Sequence, residues 1–206
     1  MLKEMYINQR LKFPRMSTNI IKGLIYDVNT FLDINRVPID ETLFRLREYL
    51  HANFVGFLTE NKSTVIFRNI DHSHSMKFFK LKLQTNNFLD YYKLNGGNHN
   101  SKKIVLAEGI FDIFSENIFD YLNIKDNVKL YASALSSKYS SLLQSIVFHE
   151  QIFKPEVIIL SDRGISKDYY LQLKKYNSHI IEKLTVYYNK SGKDFNECFV
   201  TPCQML

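Results

Sequence analysis

The amino-acid sequence predicts an α/β protein: a parallel four-stranded sheet flanked by helices, preceded by a smaller α+β subdomain. Three observations carry this prediction. Short continuous apolar runs recur in the second half, at 103–107, 128–132, 157–160 and 184–188. Helical patterns separate them, and strand alternating with helix is the signature of a parallel sheet. The polar stretch Asn95-Gly96-Gly97-Asn98-His99-Asn100-Ser101 sets this half apart from a first half with a different rhythm. The expected domains are therefore 1–97 and 101–197, with 198–206 as a tail.

The first half opens on a basic, loop-like stretch, Gln9-Arg10-Leu11-Lys12-Phe13-Pro14-Arg15. Asp40 can cap a helix on which Leu43, Leu46, Tyr49 and Leu50 share one face. Asn53-Phe54-Val55-Gly56-Phe57-Leu58 and Thr64-Val65-Ile66-Phe67-Arg68 flank the polar turn Glu60-Asn61-Lys62, which predicts a hairpin. Residues 76–83 alternate as a further strand. In the second half, Lys103-Ile104-Val105-Leu106-Ala107 reads as a buried strand. A helix over 110–122 follows, then a strand at 128–132 and a helix at 138–148. After the strand at 157–160, Ser166 can cap a third helix that ends in Lys174-Lys175, favourable for its dipole. The last strand covers 184–188, and the crossovers should be right-handed.

Composition narrows the class. The chain has 206 residues, 45% hydrophobic and 23% charged, an ordinary globular mixture that excludes wholesale disorder. No apolar stretch reaches the roughly 18 residues of a spanning helix. Met1-Leu2-Lys3-Glu4-Met5 has no secretory h-region, so a cytoplasmic protein without membrane partners is expected. Two cysteines exclude a disulfide scaffold and a four-cysteine zinc module. Cys198 and Cys203 are spaced too widely for a redox pair and read as ordinary thiols. The net charge of +6 suits a polyanionic partner.

Ligands of parallel α/β sheets bind beyond the carboxyl ends of the strands. Glu108 directly follows the first strand of the second half, Asp112 lies four residues on, and Asp162 follows the third strand. Three carboxylates distant in sequence thus converge on one rim. Carboxylate oxygens are ligands that Mg²⁺ prefers, and such a site can position a triphosphate and activate an attacking hydroxyl. Gly109 would let backbone approach a ligand closely. The plainer reading of Glu108 and Asp112 is that acids near a helix N-terminus are favourable for dipole reasons alone.

Val105-Leu106-Ala107-Glu108-Gly109-Ile110-Phe111-Asp112 resembles the first motif of the Toprim domain, shared by bacterial-type and phage primases, topoisomerases and some nucleases. Ile158-Ile159-Leu160-Ser161-Asp162-Arg163-Gly164 is similar to its second acidic motif, and Tyr131-Ala132-Ser133-Ala134-Leu135 to the intervening strand. Ser191-Gly192-Lys193-Asp194-Phe195-Asn196-Glu197 resembles the ending of primase-type members. The resemblance implies a Toprim-like sheet and a Mg²⁺ or Mn²⁺ site. Glu108 would be a metal ligand or general acid/base, Asp162 a metal ligand, and Asp112 a ligand or a support of the helix geometry. Lys193 would meet phosphate, and Asp194 would be a ligand or a structural cap. One departure stands out: the second aspartate of the Asp-x-Asp motif falls at Gly164, and the next carboxylate is Asp168.

The primase branch implies a DNA primase-like nucleotidyltransferase that makes short RNA primers from ribonucleoside triphosphates on single-stranded DNA. Arg68, at the end of the hairpin, Arg163 and Lys167 would be nucleotide or nucleic-acid contacts; a surface arginine closing a strand and an Arg163 ion pair are the alternatives. No zinc-binding or helicase module is visible. A separate helicase or zinc-binding protein in phage-type replication, in a bacterial or phage-infected host cell, is therefore expected. The alternatives are a Toprim nuclease acting on RNA or DNA, and a non-catalytic interaction protein of the same fold. Lys102, Lys103, Lys174, Lys175 and Lys190 could join a backbone track or form a solvated face. Tyr91-Tyr92 and Tyr169-Tyr170 could stack bases, with core packing favoured for at least one of each pair. His72-Ser73-His74 lacks a nearby third ligand and reads as a loop.

Overall fold

The computed structural model describes residues 2–11, 21–71, 75–84, 90–95, 100–114, 120–124, 127–133, 138–192, 195 and 201–206. The chain forms two compact units, built mainly from Arg15–Asn87 and from Phe88–Leu206.

The first unit contains a four-stranded antiparallel sheet in the order β1 (Leu24–Ile25), β2 (Phe54–Leu58), β3 (Thr64–Asn69), β4 (Phe78–Lys82). The hairpin of β2 and β3 forms where the two β-rich runs predict it, with Phe54 opposite Asn69 and Leu58 opposite Val65. Helix α1 spans Leu2–Leu11, so Gln9 to Leu11 are helical rather than loop-like. The remainder of that stretch, 12–15, lies outside the described residues, and at the other end of α1 the Lys3 ammonium donates to the backbone oxygens of Tyr26 (2.6 Å) and His51. Helix α2 (Val28–Ile34) has no counterpart among the expected elements; Asp27 caps it, accepting from Thr30 N at 2.9 Å. Helix α3 (Glu41–Asn53) begins at Asp40, which accepts from Leu43 N at 2.7 Å. Arg47 on α3 donates to Asn29 Oδ1 (2.8 Å) and to both oxygens of Asp33 on α2. The helices cover one sheet face in a core of Val28, Leu32, Leu43, Leu50, Phe54, Val65 and Phe67.

The second unit holds a six-stranded sheet: β5 (Tyr92–Asn95), β6 (Lys103–Ala107), β7 (Leu130–Ser133), β8 (Glu156–Ser161), β9 (Lys183–Asn189) and β10 (Pro202–Gln204). Their spatial order is β10-β9-β8-β6-β7-β5. The four inner strands are parallel, and all four lie on the predicted apolar runs. The sheet is larger than the four strands expected, because an antiparallel strand closes each edge.

Both edge strands lie where the sequence suggests something else. β5 precedes the Asn95-to-Ser101 stretch, so the units divide at 87/88, ahead of it. A half-buried polar cluster fixes this strand: Tyr91 Oη donates to Glu150 Oε1 at 2.6 Å, and Lys93 Nζ contacts the same carboxylate at 2.7 and 2.9 Å. β10 lies inside the expected 198–206 tail and pairs with β9, Cys203 opposite Tyr188.

Helices α4 (Tyr139–His149) and α5 (Lys167–Asn177) match the expected second and third helices, and Ser166 caps α5. Of the helix expected over 110–122, Ile110–Phe114 form a 3-10 helix, and 115–119 lie outside the described residues. All five side chains of that 3-10 helix are buried, so it lacks the polar face that an amphipathic α-helix keeps toward water. β6 and β8 are buried on both faces, as parallel strands covered by helices should be. Among the described residues, no helix is long and apolar enough to cross a membrane.

Candidate functional site

The acidic rim is a consequence of strand order. β6 and β8 are parallel neighbours, with Ala107 opposite Leu160. Glu108 and Asp162 therefore leave adjacent strands at the same carboxyl end, although 54 positions separate them. Both are partly exposed. Asp112 sits one turn beyond Glu108 and is buried. Its Oδ2 lies 2.5 Å from where a β-carbon on Gly109 would be, so a larger residue at 109 would push the Asp112 carboxylate aside. That close approach is made by this chain's own aspartate.

Buried hydroxyls hold the backbone under the acids. Ser133, the last residue of β7, donates to the Glu108 carbonyl at 2.8 Å. Ser161, the last residue of β8, donates to the Asp162 carbonyl at 2.9 Å and accepts from Tyr170 Oη at 2.7 Å. Both serines are fully buried. These contacts act through the main chain and fix where each acidic side chain begins.

Tyr139 is the group that sequence reasoning missed. It opens α4, and helices that follow parallel strands begin at the carboxyl rim. Its ring packs against Tyr170, centroids 6.2 Å apart, and Tyr139 is 0% exposed. Its hydroxyl has no hydrogen-bond partner among the described residues. Burial pushes that hydroxyl well above the usual tyrosine range, with the charges of Tyr170, Asp162, Glu108 and Asp112 adding to the shift. Burial likewise pushes Tyr170 up to about 12, against the opposing Ser161 hydrogen bond. The sequence signal available for Tyr139 is its place at the start of the helix after the second parallel strand.

Gly164 has φ +104°, a conformation in which side chains are strained, and a β-carbon there would meet open space. Backbone shape, not crowding, therefore disfavours an aspartate at 164. Asp168 is exposed in the first turn of α5. Arg163 is exposed beside Asp162, and its charge reaches Tyr188 on β9. Lys167 opens α5 and Lys190 follows β9, both at the carboxyl rim. The remaining lysines of the expected track are elsewhere. Lys102 and Lys103 stand at the opposite end of β6, where Lys103 pairs with Glu156 at 3.7 Å, and Lys174 and Lys175 close α5. Tyr91, Tyr92 and Tyr170 are core residues and offer no stacking face.

Lys193 and Asp194 lie outside the described residues, as do His72 to His74 and Cys198. Buried Asn189, the last residue of β9, accepts from Ser191 N (3.1 Å) and Thr201 N (2.9 Å) through Oδ1.

The donor chemistry fits a hard divalent cation. Mg²⁺ is usually held by one or two carboxylates, with waters and phosphates completing its octahedron. Among the described residues no group of three or more His, Cys, Asp or Glu side chains is gathered to hold a metal. Glu108 and Asp162, at the ends of adjacent parallel strands, would be a two-carboxylate donor set of that sparse kind, and the unpartnered buried Tyr139 hydroxyl lies on the helix that starts at the same rim.

In the first unit, Arg68 is half-buried on β3 and stands opposite Phe78 of β4. The outward positions of β4 are Phe78, Lys80 and Lys82, an exposed aromatic followed by two exposed cations.

No family model matches the chain, and no curated protein matches it.

Proposed function

We propose that the chain is a Toprim-type, primase-like nucleotidyltransferase that makes short RNA primers on single-stranded DNA. The observation that carries this reading is the placement of Glu108 and Asp162 at the ends of adjacent parallel strands. The motif order, with Lys193-Asp194 after the last parallel strand, supports the primase branch.

Glu108 and Asp162 would hold Mg²⁺ or Mn²⁺, which when bound stabilises charge on a transferring phosphate and lowers the pKa of an attacking hydroxyl. In the transfer a primer 3′-oxygen bonds to the α-phosphorus of a ribonucleoside triphosphate, and the bond to the departing pyrophosphate breaks. Arg163 and Lys167 supply positive charge at the same rim for the phosphates. Asp112 holds the Gly109 turn and so the direction in which Glu108 leaves its strand. The 3′-hydroxyl proton passes to Glu108 or to solvent.

The sheet face carrying Arg68, Phe78, Lys80 and Lys82 suits a single strand, since aromatics stack bases and cations follow phosphates. Changing Lys80 and Lys82 together to Gln should weaken single-stranded DNA binding. It should also reduce the slope of log affinity against log salt by about 1.4, at about 0.7 for each phosphate no longer neutralised. Fluorescence anisotropy across a salt series measures this; an unchanged slope removes that face from the interface.

The functional test is incubation with single-stranded DNA, labelled ribonucleotides and Mg²⁺ or Mn²⁺, with and without a replicative helicase. Oligoribonucleotide products support the reading. Cleavage of RNA or DNA without triphosphates would instead make it a nuclease. Gly164 favours a third reading, a non-catalytic replication partner, because the backbone there disfavours the family's second aspartate. Metal binding and biological activity that survive both Glu108→Ala and Asp162→Ala would decide for that one.

A further inference from the structure

We infer that Tyr139 is a positioning residue of the acidic rim, its buried O–H being the donor that orients a rim carboxylate against a bound divalent cation. The inference rests on the metal reading of Glu108 and Asp162 and adds to it a group that no motif includes. Buried hydroxyls are nearly always hydrogen-bonded, so an unpaired one calls for a physical reason. Tyr139 is wholly buried, and no described residue accepts its proton. Its neighbour Tyr170 shows the contrast. That hydroxyl is spent on Ser161, which in turn holds the Asp162 backbone. Tyr170 fixes the main chain; Tyr139, packed against it at the start of α4, has no such partner among the described residues.

A carboxylate has more acceptor positions than a single metal bond uses. Groups that hydrogen-bond metal ligands set their orientation, and losing one commonly weakens metal affinity about 10–100-fold. A phenol that donates to a ligand of the cation fits that role without touching the cation itself.

The two roles Tyr139 could have differ in sign. A merely structural tyrosine contributes by packing, which phenylalanine preserves, so metal affinity would not respond. A positioning tyrosine carries an unsatisfied hydroxyl in the metal-free protein. Its removal should leave the melting temperature unchanged or raise it, while Mn²⁺ affinity falls about tenfold or more. The experiment is Mn²⁺ titration of the full chain, followed by electron paramagnetic resonance and paired with thermal melts, for wild type, Tyr139→Phe and Tyr170→Phe. Tyr170→Phe should lower the melting temperature and change affinity less. Equal Mn²⁺ affinity in wild type and Tyr139→Phe overturns the inference alone. Failure of the wild type to bind Mn²⁺ overturns the metal reading and the inference with it.

If Tyr139→Phe does not fold, 3-fluorotyrosine placed at 139 keeps the donor. Its ¹⁹F resonance should move on addition of Mg²⁺ to the otherwise wild-type chain, but not when Asp162→Asn is also present. A resonance that Mg²⁺ leaves in place overturns the inference.

Discussion

Glu108→Gln and Asp162→Asn should each reduce templated ribonucleotide incorporation on the order of a hundredfold or more, with little change in thermal stability. Both substitutions keep the side chain's shape and remove its charge. Both acids are partly exposed at strand ends, so neither contributes to the core. The backbone beneath them is held by Ser133, Ser161 and Tyr170 through the main-chain carbonyls of 108 and 162, contacts that an amide side chain leaves intact. What disappears is the charge needed for electrostatic stabilisation at a reacting phosphate, where single preorganised groups are commonly worth about 10²–10³ in rate. Initial rates of primer extension beside circular-dichroism melts measure the two quantities together. A large fall in melting temperature would show that the acids serve the fold instead.

The largest stability effect should come from β8. Ile159→Ala should destabilise the second unit by about 2–5 kcal/mol. Ile159 is fully buried in a strand with β6 on one side and β9 on the other, and it belongs to the core of Leu106, Leu143, Ile146 and Val186. Truncation there leaves a cavity between layers that cannot easily close around a strand bonded on both edges. Phe153, 75% exposed, provides the comparison. Phe153→Ala should lie within about 0.5 kcal/mol of wild type, the usual range at such surfaces. Urea unfolding followed by circular dichroism gives both values; similar midpoints for the two variants would contradict the core assignment.

Elements with a strong local signal are readable in the sequence. The four parallel strands are unbroken apolar runs because both of their faces are buried. Asp40 and Ser166 announce their helices because a cap needs one oxygen at one position. Asp27 does the same for α2, and with Val28, Phe31 and Leu32 on one face it is an overlooked local signal. The edge strands are different. β5 is specified by Tyr91 and Lys93 meeting Glu150, a contact across 57 or more positions that no local pattern encodes. β10 has three residues and half-exposed side chains, too short for periodicity to register.

The candidate site divides along the same line. Glu108 and Asp162 can be read because each directly follows an apolar strand, and the adjacency of β6 and β8 then brings them to one rim. Tyr139 cannot, since its value as an unpaired buried donor exists only once α4 packs against α5 and Tyr170. The glycine at 164 reads as a missing aspartate. Its φ of +104° turns it into a feature of the backbone.

Both the transfer chemistry and the role of Tyr139 depend on Glu108 and Asp162 sharing one divalent cation. An anomalous difference map from crystals of the full chain soaked in Mn²⁺ decides this. A single peak bridging the Glu108 and Asp162 carboxylates, with Tyr139 Oη within hydrogen-bonding distance of one of them, is the expected result. A rim without Mn²⁺ at saturating concentration, or a peak held by other residues, would overturn it.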